Sequence, residues 1–166
     1  GCYAQVRTMS MSEKELIKQV VKKRRKAQEE LFERYKRVWY SICLRYHSNA
    51  DDANDALQNA LVNIFTKIKQ FDPNKGNFGS WSSRIVVNEN LILLRKKSRA
   101  FITDEINDEI HAYDESESAL DRLSAQELTR LISHMPDGYR AVFNLYVIEG
   151  YTHVEIADML GISVGT

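Results

Sequence analysis

The sequence is poor in the residues that cross-link or interrupt a chain, and each shortage excludes a class of protein. Its only cysteines, Cys2 and Cys43, are too few and too isolated for a disulfide framework. The four histidines are scattered without the spacing of metal ligands, so we predict no metal site and no cofactor. Glycine and proline are scarce, with seven and two copies. So few turn-forming residues favour long helices.

Long apolar runs are absent as well. No window approaches the apolar length that spans a bilayer, and the N-terminus carries a basic amphipathic stretch in place of an apolar signal core. A composition of 43% hydrophobic and 28% charged residues is typical of a chain that folds. We therefore expect a soluble, cytoplasmic protein with no membrane insertion.

Net charge is zero only in the total. Residues 1–99 hold 20 Lys and Arg against 10 Asp and Glu, a net charge of +10. Residues 100–166 hold 3 against 13, a net charge of −10. This division indicates one part that faces a polyanion and another that faces a basic surface or mimics a polyanion. Unevenly solvated faces are the alternative reading.

Apolar residues recur at steps of three and four while strand-like alternation is missing, so we predict an all-α fold. A first long helix should end near His47. Its apolar face is formed by Leu31, Tyr35, Val38, Trp39, Ile42 and Tyr46. A second helix, capped by Ser48 or Asn49, should stop at Asp72-Pro73. Its apolar stripe is formed by Ala53, Leu57, Leu61, Ile64, Ile68 and Phe71.

A turn-rich loop, residues 72–77, separates that helix from a third. The third helix should end in the basic run of residues 95–99. Its apolar positions are Phe78, Trp81, Ile85 and Ile92. Three packed helices form the first predicted domain, residues 12–99.

The second half of the chain begins with residues 100–119, an acidic linker candidate without Lys or Arg. A second small domain, residues 120–166, should contain a helix over residues 120–134, a break over residues 135–138 and a helix over residues 139–149. Thr152 and Glu155 then have the spacing of a capping box, and Gly161 allows a tight turn. Together they predict a helix-turn-helix whose recognition helix is cut short at Thr166.

The segments 51–68 (DDANDALQNALVNIFTKI) and 71–99 (FDPNKGNFGSWSSRIVVNENLILLRKKSR) resemble region two of extracytoplasmic-function (ECF) sigma factors. Residues 135–166 are similar to the start of sigma region four. The resemblance implies a sigma factor that binds core RNA polymerase and directs promoter recognition, strand opening and transcription initiation. It also implies the partners: the polymerase β′ clamp helices and β flap, promoter DNA and an anti-sigma factor.

In the resembling family the second helix docks on the clamp helices. The candidate polymerase-binding residues are Asp52, Asp55, Gln58 and Asn59, which share a polar face. Asn59 departs from the family, which usually has glutamate there. A solvated helix face is the alternative for this group.

Strand opening requires aromatic and amide groups for unpaired bases and cations for phosphates. By resemblance, the loop over residues 75–78 forms the pocket for a flipped base of the minus-ten element. The candidate minus-ten residues are Lys75, Gly76, Asn77, Phe78, Trp81, Arg84, Asn88, Arg95, Lys96 and Lys97. A core role is the alternative for Trp81, and a solvated helix end for the last three. For the minus-thirty-five element the candidates are Ser163, Gly165 and Thr166.

Two other functions compete with this interpretation. A helix-turn-helix regulator with a helical sensor or dimerisation domain would bind promoters without polymerase, but it has no need of the first-domain cluster. A helical hydrolase built on His47 and the carboxylates Asp51, Asp52 and Asp55 lacks an accompanying nucleophile or metal-ligand motif. We therefore predict no catalytic residues and no enzymatic activity.

Overall fold

The computed structural model describes residues 11–97 and 124–161, which form seven α-helices and no strand. The first four helices are α1 (Glu13–Val21), α2 (Arg25–Tyr46), α3 (Ala50–Lys67, extended by a 3₁₀ turn Ile68–Gln70) and α4 (Phe78–Lys97). The last three are α5 (Ala125–His134), α6 (Asp137–Phe143, continued by a π-helical turn Asn144–Ile148) and α7 (His153–Leu160). The all-α fold is confirmed.

Helices α2, α3 and α4 pack on one another and α1 covers α2. Asn49 caps α3 as predicted, because its Oδ1 accepts a hydrogen bond from the Asp52 amide at 2.9 Å. The buried face of α3 is rotated from the predicted stripe: Leu57 and Leu61 are only half-buried. The fully buried positions are Ala53, Ala56, Ala60 and Ile64. Three alanines along one face let the neighbouring helices approach closely.

Two apolar residues assigned to the core are exposed, namely Val38 at 48% and Ile92 at 40%. Polar residues occupy core positions on α4 instead. Ser82 is fully buried and accepts a hydrogen bond from the Trp39 indole at 3.0 Å. Apolar periodicity cannot identify such positions, because the partner that satisfies a buried polar group lies on another helix.

The C-terminal helices are delimited by their capping residues. Ser124 and Glu127 form a complete capping box at the start of α5. This helix therefore begins at Ala125, and the prediction of one continuous helix over residues 120–134 is wrong, because Ser124 is its extended N-cap. The predicted break over residues 135–138 is too long, since only Met135 and Pro136 are non-helical and α6 already begins at Asp137. Proline without an amide hydrogen fits immediately before a helix start, where no donor is needed.

The predicted start and end of α7 are both confirmed. The Thr152 hydroxyl accepts a hydrogen bond from the Glu155 backbone amide at 3.2 Å. The Glu155 carboxylate accepts one from the Thr152 hydroxyl and not from the Thr152 backbone amide, so the predicted capping box forms only in part. At the other end Gly161 adopts a left-handed conformation with φ of 69°. The predicted linker (100–119) and the minus-thirty-five candidates Ser163, Gly165 and Thr166 lie outside the described residues.

Over residues 11–97 and 124–161, no helix combines the length and the apolar character that crossing a membrane requires. The same residues contain no group of three or more His, Cys, Asp or Glu side chains that could hold a metal ion.

Candidate nucleic-acid interface

The polar face of α3 is presented to solvent by three of its four candidate residues. Asp55, Gln58 and Asn59 are exposed, whereas Asp52 is half-buried. The Asp52 carboxylate accepts hydrogen bonds from the side-chain amide of Asn49 at 2.7 Å and from the Lys97 ammonium group. Asp52 therefore ties the start of α3 to the end of α4, and the exposed face available to a partner begins at Asp55.

The loop before α4 is organised by its own side chains. Asn77 caps α4, since its Oδ1 accepts a hydrogen bond from the Ser80 amide at 2.7 Å. Gly76 has a φ of 157°, a conformation that residues with a side chain rarely adopt, and no described atom outside Gly76 and its two chain neighbours lies within 4 Å of the place a Cβ would take. Lys75 is exposed. The loop thus offers open backbone, the Asn77 Nδ2 group and one cation.

The aromatic residues beside the loop divide into a buried and a half-exposed part. Phe78 is 1% exposed and packs edge-on against Tyr35 and Phe71, with ring centroids 5.2 and 5.5 Å away. Its ring anchors the loop to the core and presents no face to a base in this structure. Trp81 is half-buried and packs against Phe71 at 5.4 Å. Of the two aromatic minus-ten candidates, Trp81 is therefore the one whose ring is partly accessible.

The remaining candidates on α4 point in several directions. Arg84, Asn88 and Lys96 are exposed. Arg95 is half-buried, and its guanidinium donates to the Met159 carbonyl of α7. Arg95 is therefore held against the C-terminal helices by one of its guanidinium nitrogens.

The two candidate surfaces adjoin one another. Asn59 on α3 and Lys96 on α4 line the same shallow cleft of about 290 Å³, together with Glu89. Glu89 in turn accepts a hydrogen bond from Asn63, which joins the two helices. A protein partner bound to α3 and a DNA strand bound to α4 would therefore lie side by side.

Sequence patterns did not identify a buried polar network between α2 and α4. The Asn90 amide group donates to the Val86 carbonyl at 2.8 Å and to the Cys43 Sγ at 3.4 Å, which leaves its oxygen to accept from His47 Nε2 at 2.8 Å. Burial lowers the pKa of His47, although the hydrogen bond with Asn90 opposes this shift. Nothing in the local sequence marks these residues as partners.

Sequence patterns also did not identify a buried arginine that hydrogen-bonds with backbone carbonyls at the C-terminal end of α5. Arg140 is 2% exposed, and its guanidinium donates to the carbonyls of Ile132 at 2.9 Å and Ser133 at 3.1 Å and to that of Met135. It also pairs with the Asp137 carboxylate at 2.7 Å. The Ser124–Glu127 capping box was detectable from its spacing, whereas the role of Arg140 was not.

Comparison with known proteins connects this geometry to one family. Residues 31–100 match the model of sigma-70 region 2, and residues 125–166 match that of sigma-70 region 4. The chain is 31% identical to the ECF RNA polymerase sigma factor SigW of Bacillus subtilis (strain 168), over 95% of the chain and 90% of that protein. It is also similar to SigE of Mycolicibacterium smegmatis, at 30% identity over 76% of the chain and 50% of that protein. A third relative is SigM of Mycobacterium tuberculosis, with 29% identity over 93% of the chain and 76% of that protein.

Proposed function

The chain belongs to the ECF group of the sigma-70 family, and we propose that its first domain joins polymerase to the melted promoter through two adjoining surfaces. As a sigma factor, the protein directs promoter recognition and transcription initiation. Sigma factors are not enzymes, and we assign no catalytic activity and no cofactor to this chain. The proposal concerns which residues bind polymerase and which hold DNA.

The observation that carries the polymerase surface is the exposed face of α3. Asp55, Gln58 and Asn59 are accessible, and the fold places its buried alanines on another face of the same helix. These carboxylate and amide groups are three and four residues apart, so they share one face of the helix, where they can bind a basic partner. We assign this face to the clamp helices of the β′ subunit. Asp52 contributes by fixing the helix start rather than by direct contact.

The strand-holding surface lies at the loop and on α4. A flipped base needs an amide to read its edge, an aromatic face to stack on and a cation for its phosphate. Asn77 Nδ2 and Asn88 supply the amides, Trp81 supplies the half-exposed ring, and Lys75 and Arg84 supply charge. Their exposure supports the assignment, while Phe78 is left the role of anchor.

The wider set of partners follows from the family. We propose that the C-terminal domain contacts the β flap and that Ser163, Gly165 and Thr166 lie at the minus-thirty-five element. We also propose an anti-sigma factor as a partner, because the family implies one. We propose a cytoplasmic location, because the protein must have access to polymerase.

Charge reversal of Asp55 tests the polymerase surface. An Asp55→Lys variant should lose roughly tenfold or more in affinity for core polymerase, since one interfacial contact to a charged group commonly contributes about 2 kcal/mol. Glu33→Lys on α2 is the matched control, because Glu33 is also exposed and its ion pair within the described residues is with nearby Lys36. Competition for core enzyme against the parent protein measures both. Equal competition by a folded Asp55→Lys variant contradicts the assignment.

A further inference from the structure

The turn between α1 and α2 carries a run of five consecutive cations. This segment, Lys22–Lys26 (KKRRK), supplies five of the 20 Lys and Arg residues of residues 1–99, and all five are exposed. Among the described residues, the ion pair that the run forms is that of Arg25 with Glu29, whose side chains are 90% and 64% exposed. A pair so open to water contributes little. The basic turn, as we name Lys22–Lys26, therefore keeps most of its charge unbalanced.

The backbone of the basic turn places a lysine where glycine is usual. The Lys23 amide donates to the Val20 carbonyl at 2.8 Å and the Arg24 amide donates to the Gln19 carbonyl at 3.2 Å, which is the hydrogen-bond pattern of a Schellman motif. The residue at this point of the motif is left-handed, and Lys23 has a φ of 59°. A residue with a side chain is strained in this conformation, whereas glycine is not. The sequence thus keeps a cation where glycine would be more stable.

The start of α2 adds a second unfavourable placement. Arg25 and Lys26 lie in its first turn, which has no acidic residue, and the N-cap Arg24 forms no side-chain capping hydrogen bond. Cations at this end oppose the helix dipole, and neighbouring like charges repel one another. Local features that cost stability and are nevertheless present point to a role outside the fold.

The basic turn lies at the same end of the first domain as the loop before α4. Lys23 lines a groove of about 810 Å³ together with Lys69, and α1 contacts the 3₁₀ turn to which Lys69 belongs. Lys75 follows Lys69 after six residues of chain, which span at most about 20 Å. A DNA strand held at the loop can therefore reach the basic turn.

We propose that the basic turn binds the sugar-phosphate backbone of the promoter strand beside the nucleotides that the loop captures. This inference rests on the proposed function, because the loop determines where the strand lies. Phosphate contacts from lysine and arginine position a nucleic acid without reading its sequence. The basic turn therefore adds affinity for whatever sequence flanks the minus-ten element, while the loop selects the element itself.

Single-stranded oligonucleotides that end at the minus-ten element, or extend beyond it on the upstream or the downstream side, test the basic turn in the full chain. One of the two extensions should strengthen binding by the parent. The double variant Lys23→Gln/Lys26→Gln should bind that extended strand about tenfold more weakly than the parent and the short strand equally well. Its binding constant should also depend less on salt, with a logarithmic slope smaller by about 1.4, because each phosphate contact on a single strand contributes about 0.7.

The matched control is Arg37→Gln/Arg130→Gln, which removes the same charge from two other exposed positions. Arg37 lies about 18 Å along α2 from Arg25, and Arg130 lies on α5. This variant should bind both strands like the parent. Parental binding of the extended strand by Lys23→Gln/Lys26→Gln, or an equal loss in the control, overturns the proposal.

A Lys23→Gly variant separates the charge of the basic turn from its fold. Glycine relieves the left-handed strain, so the urea concentration at the midpoint of unfolding should rise. Loss of the cation should nevertheless weaken binding of the extended strand about threefold and reduce the salt slope by about 0.7. A more stable variant with parental affinity and slope would contradict the contact between Lys23 and DNA.

The same binding data distinguish this proposal from the one on which it rests. If the parent selects the minus-ten sequence over a scrambled strand but gains nothing from either extension, the basic turn fails and strand capture stands. If the parent does not select the minus-ten sequence, strand capture fails, and the place of the basic turn beside it fails too. Weaker binding of Lys23→Gln/Lys26→Gln to vesicles of phosphatidylcholine and phosphatidylglycerol, with parental DNA binding, would assign the turn to an anionic membrane surface and overturn the proposal.

Discussion

At the scale of single residues, the chain is stabilised by buried polar groups that its apolar pattern does not reveal. The Arg140 side chain, which comes from α6, donates to a backbone carbonyl near the end of α5. The Asn90 side chain forms hydrogen bonds with His47, Cys43 and a backbone carbonyl. A buried group of this kind stabilises only with its partner in place, because an unpaired one retains the full cost of losing water. The sequence shows the polar residue but not the distant atom that satisfies it.

Replacing Arg140 should destabilise the C-terminal domain strongly. Arg140→Met keeps much of the side-chain volume but leaves three carbonyls and the Asp137 carboxylate without this donor. We expect a loss of about 3 kcal/mol in the free energy of unfolding, measured in urea. Asp137→Asn, which preserves the carbonyl bonds, should lose less than about 1 kcal/mol. Equal losses in the two variants would contradict this role.

His47 should make stability depend on pH. Its pKa is lowered in the folded chain, chiefly by burial. At mildly acidic pH the unfolded chain therefore binds a proton at His47 more readily than the folded chain does. The contribution of His47 is complete above its usual pKa of about 6.5 and is lost as the pH falls toward the lowered value. The free energy of unfolding should decrease below about pH 6.5.

A His47→Gln variant should show a shallower decrease, since glutamine can donate to Asn90 but does not titrate. His134, which is exposed, provides the control, and His134→Gln should keep the parental pH dependence. Urea titrations at pH values between about 5 and 8, the range in which histidine changes its charge, measure how the free energy of unfolding varies with pH. A decrease in His47→Gln as steep as that of the parent would contradict the assignment.

At the scale of elements, helix ends were largely predictable and buried faces were less so. Asn49, Thr152 and Gly161 fulfil the predicted roles because capping depends on local chemistry. The buried face of α3 was misjudged because alanine carries little weight in an apolar pattern. Close helix packing nevertheless favours the small residue.

Enlarging an alanine of that face should disrupt the packing of the first domain. Ala60→Leu adds volume at a fully buried position, which commonly costs about 1–3 kcal/mol. Asn59→Leu, one residue away and exposed, should change the free energy of unfolding by no more than about 0.5 kcal/mol. Urea unfolding of both variants gives the comparison. A tolerated Ala60→Leu would show that α3 packs more loosely than the structure indicates.

At the scale of the whole molecule, the order of the two regions could be inferred from sequence, and both family matches confirm it. The contacts between the domains could not, because Arg45 and Glu149, which form an ion pair between them, are 104 residues apart and carry no shared motif. The minus-ten residues stay a prediction, and the structure refines them. Asn77 also caps α4, so a test of its amide must preserve the cap.

Transcription by reconstituted polymerase on paired and pre-opened templates tests the central claim, capture of an unpaired strand by the first domain. Asn77→Ser keeps a capping oxygen and removes the amide, and Asn88→Ala removes an exposed amide on α4. Each variant should transcribe a fully paired promoter roughly tenfold less than the parent, since a base contact contributes about 1–3 kcal/mol. A template mismatched across the minus-ten region should restore part of the activity. Parental activity of both variants on fully paired DNA would contradict the claim.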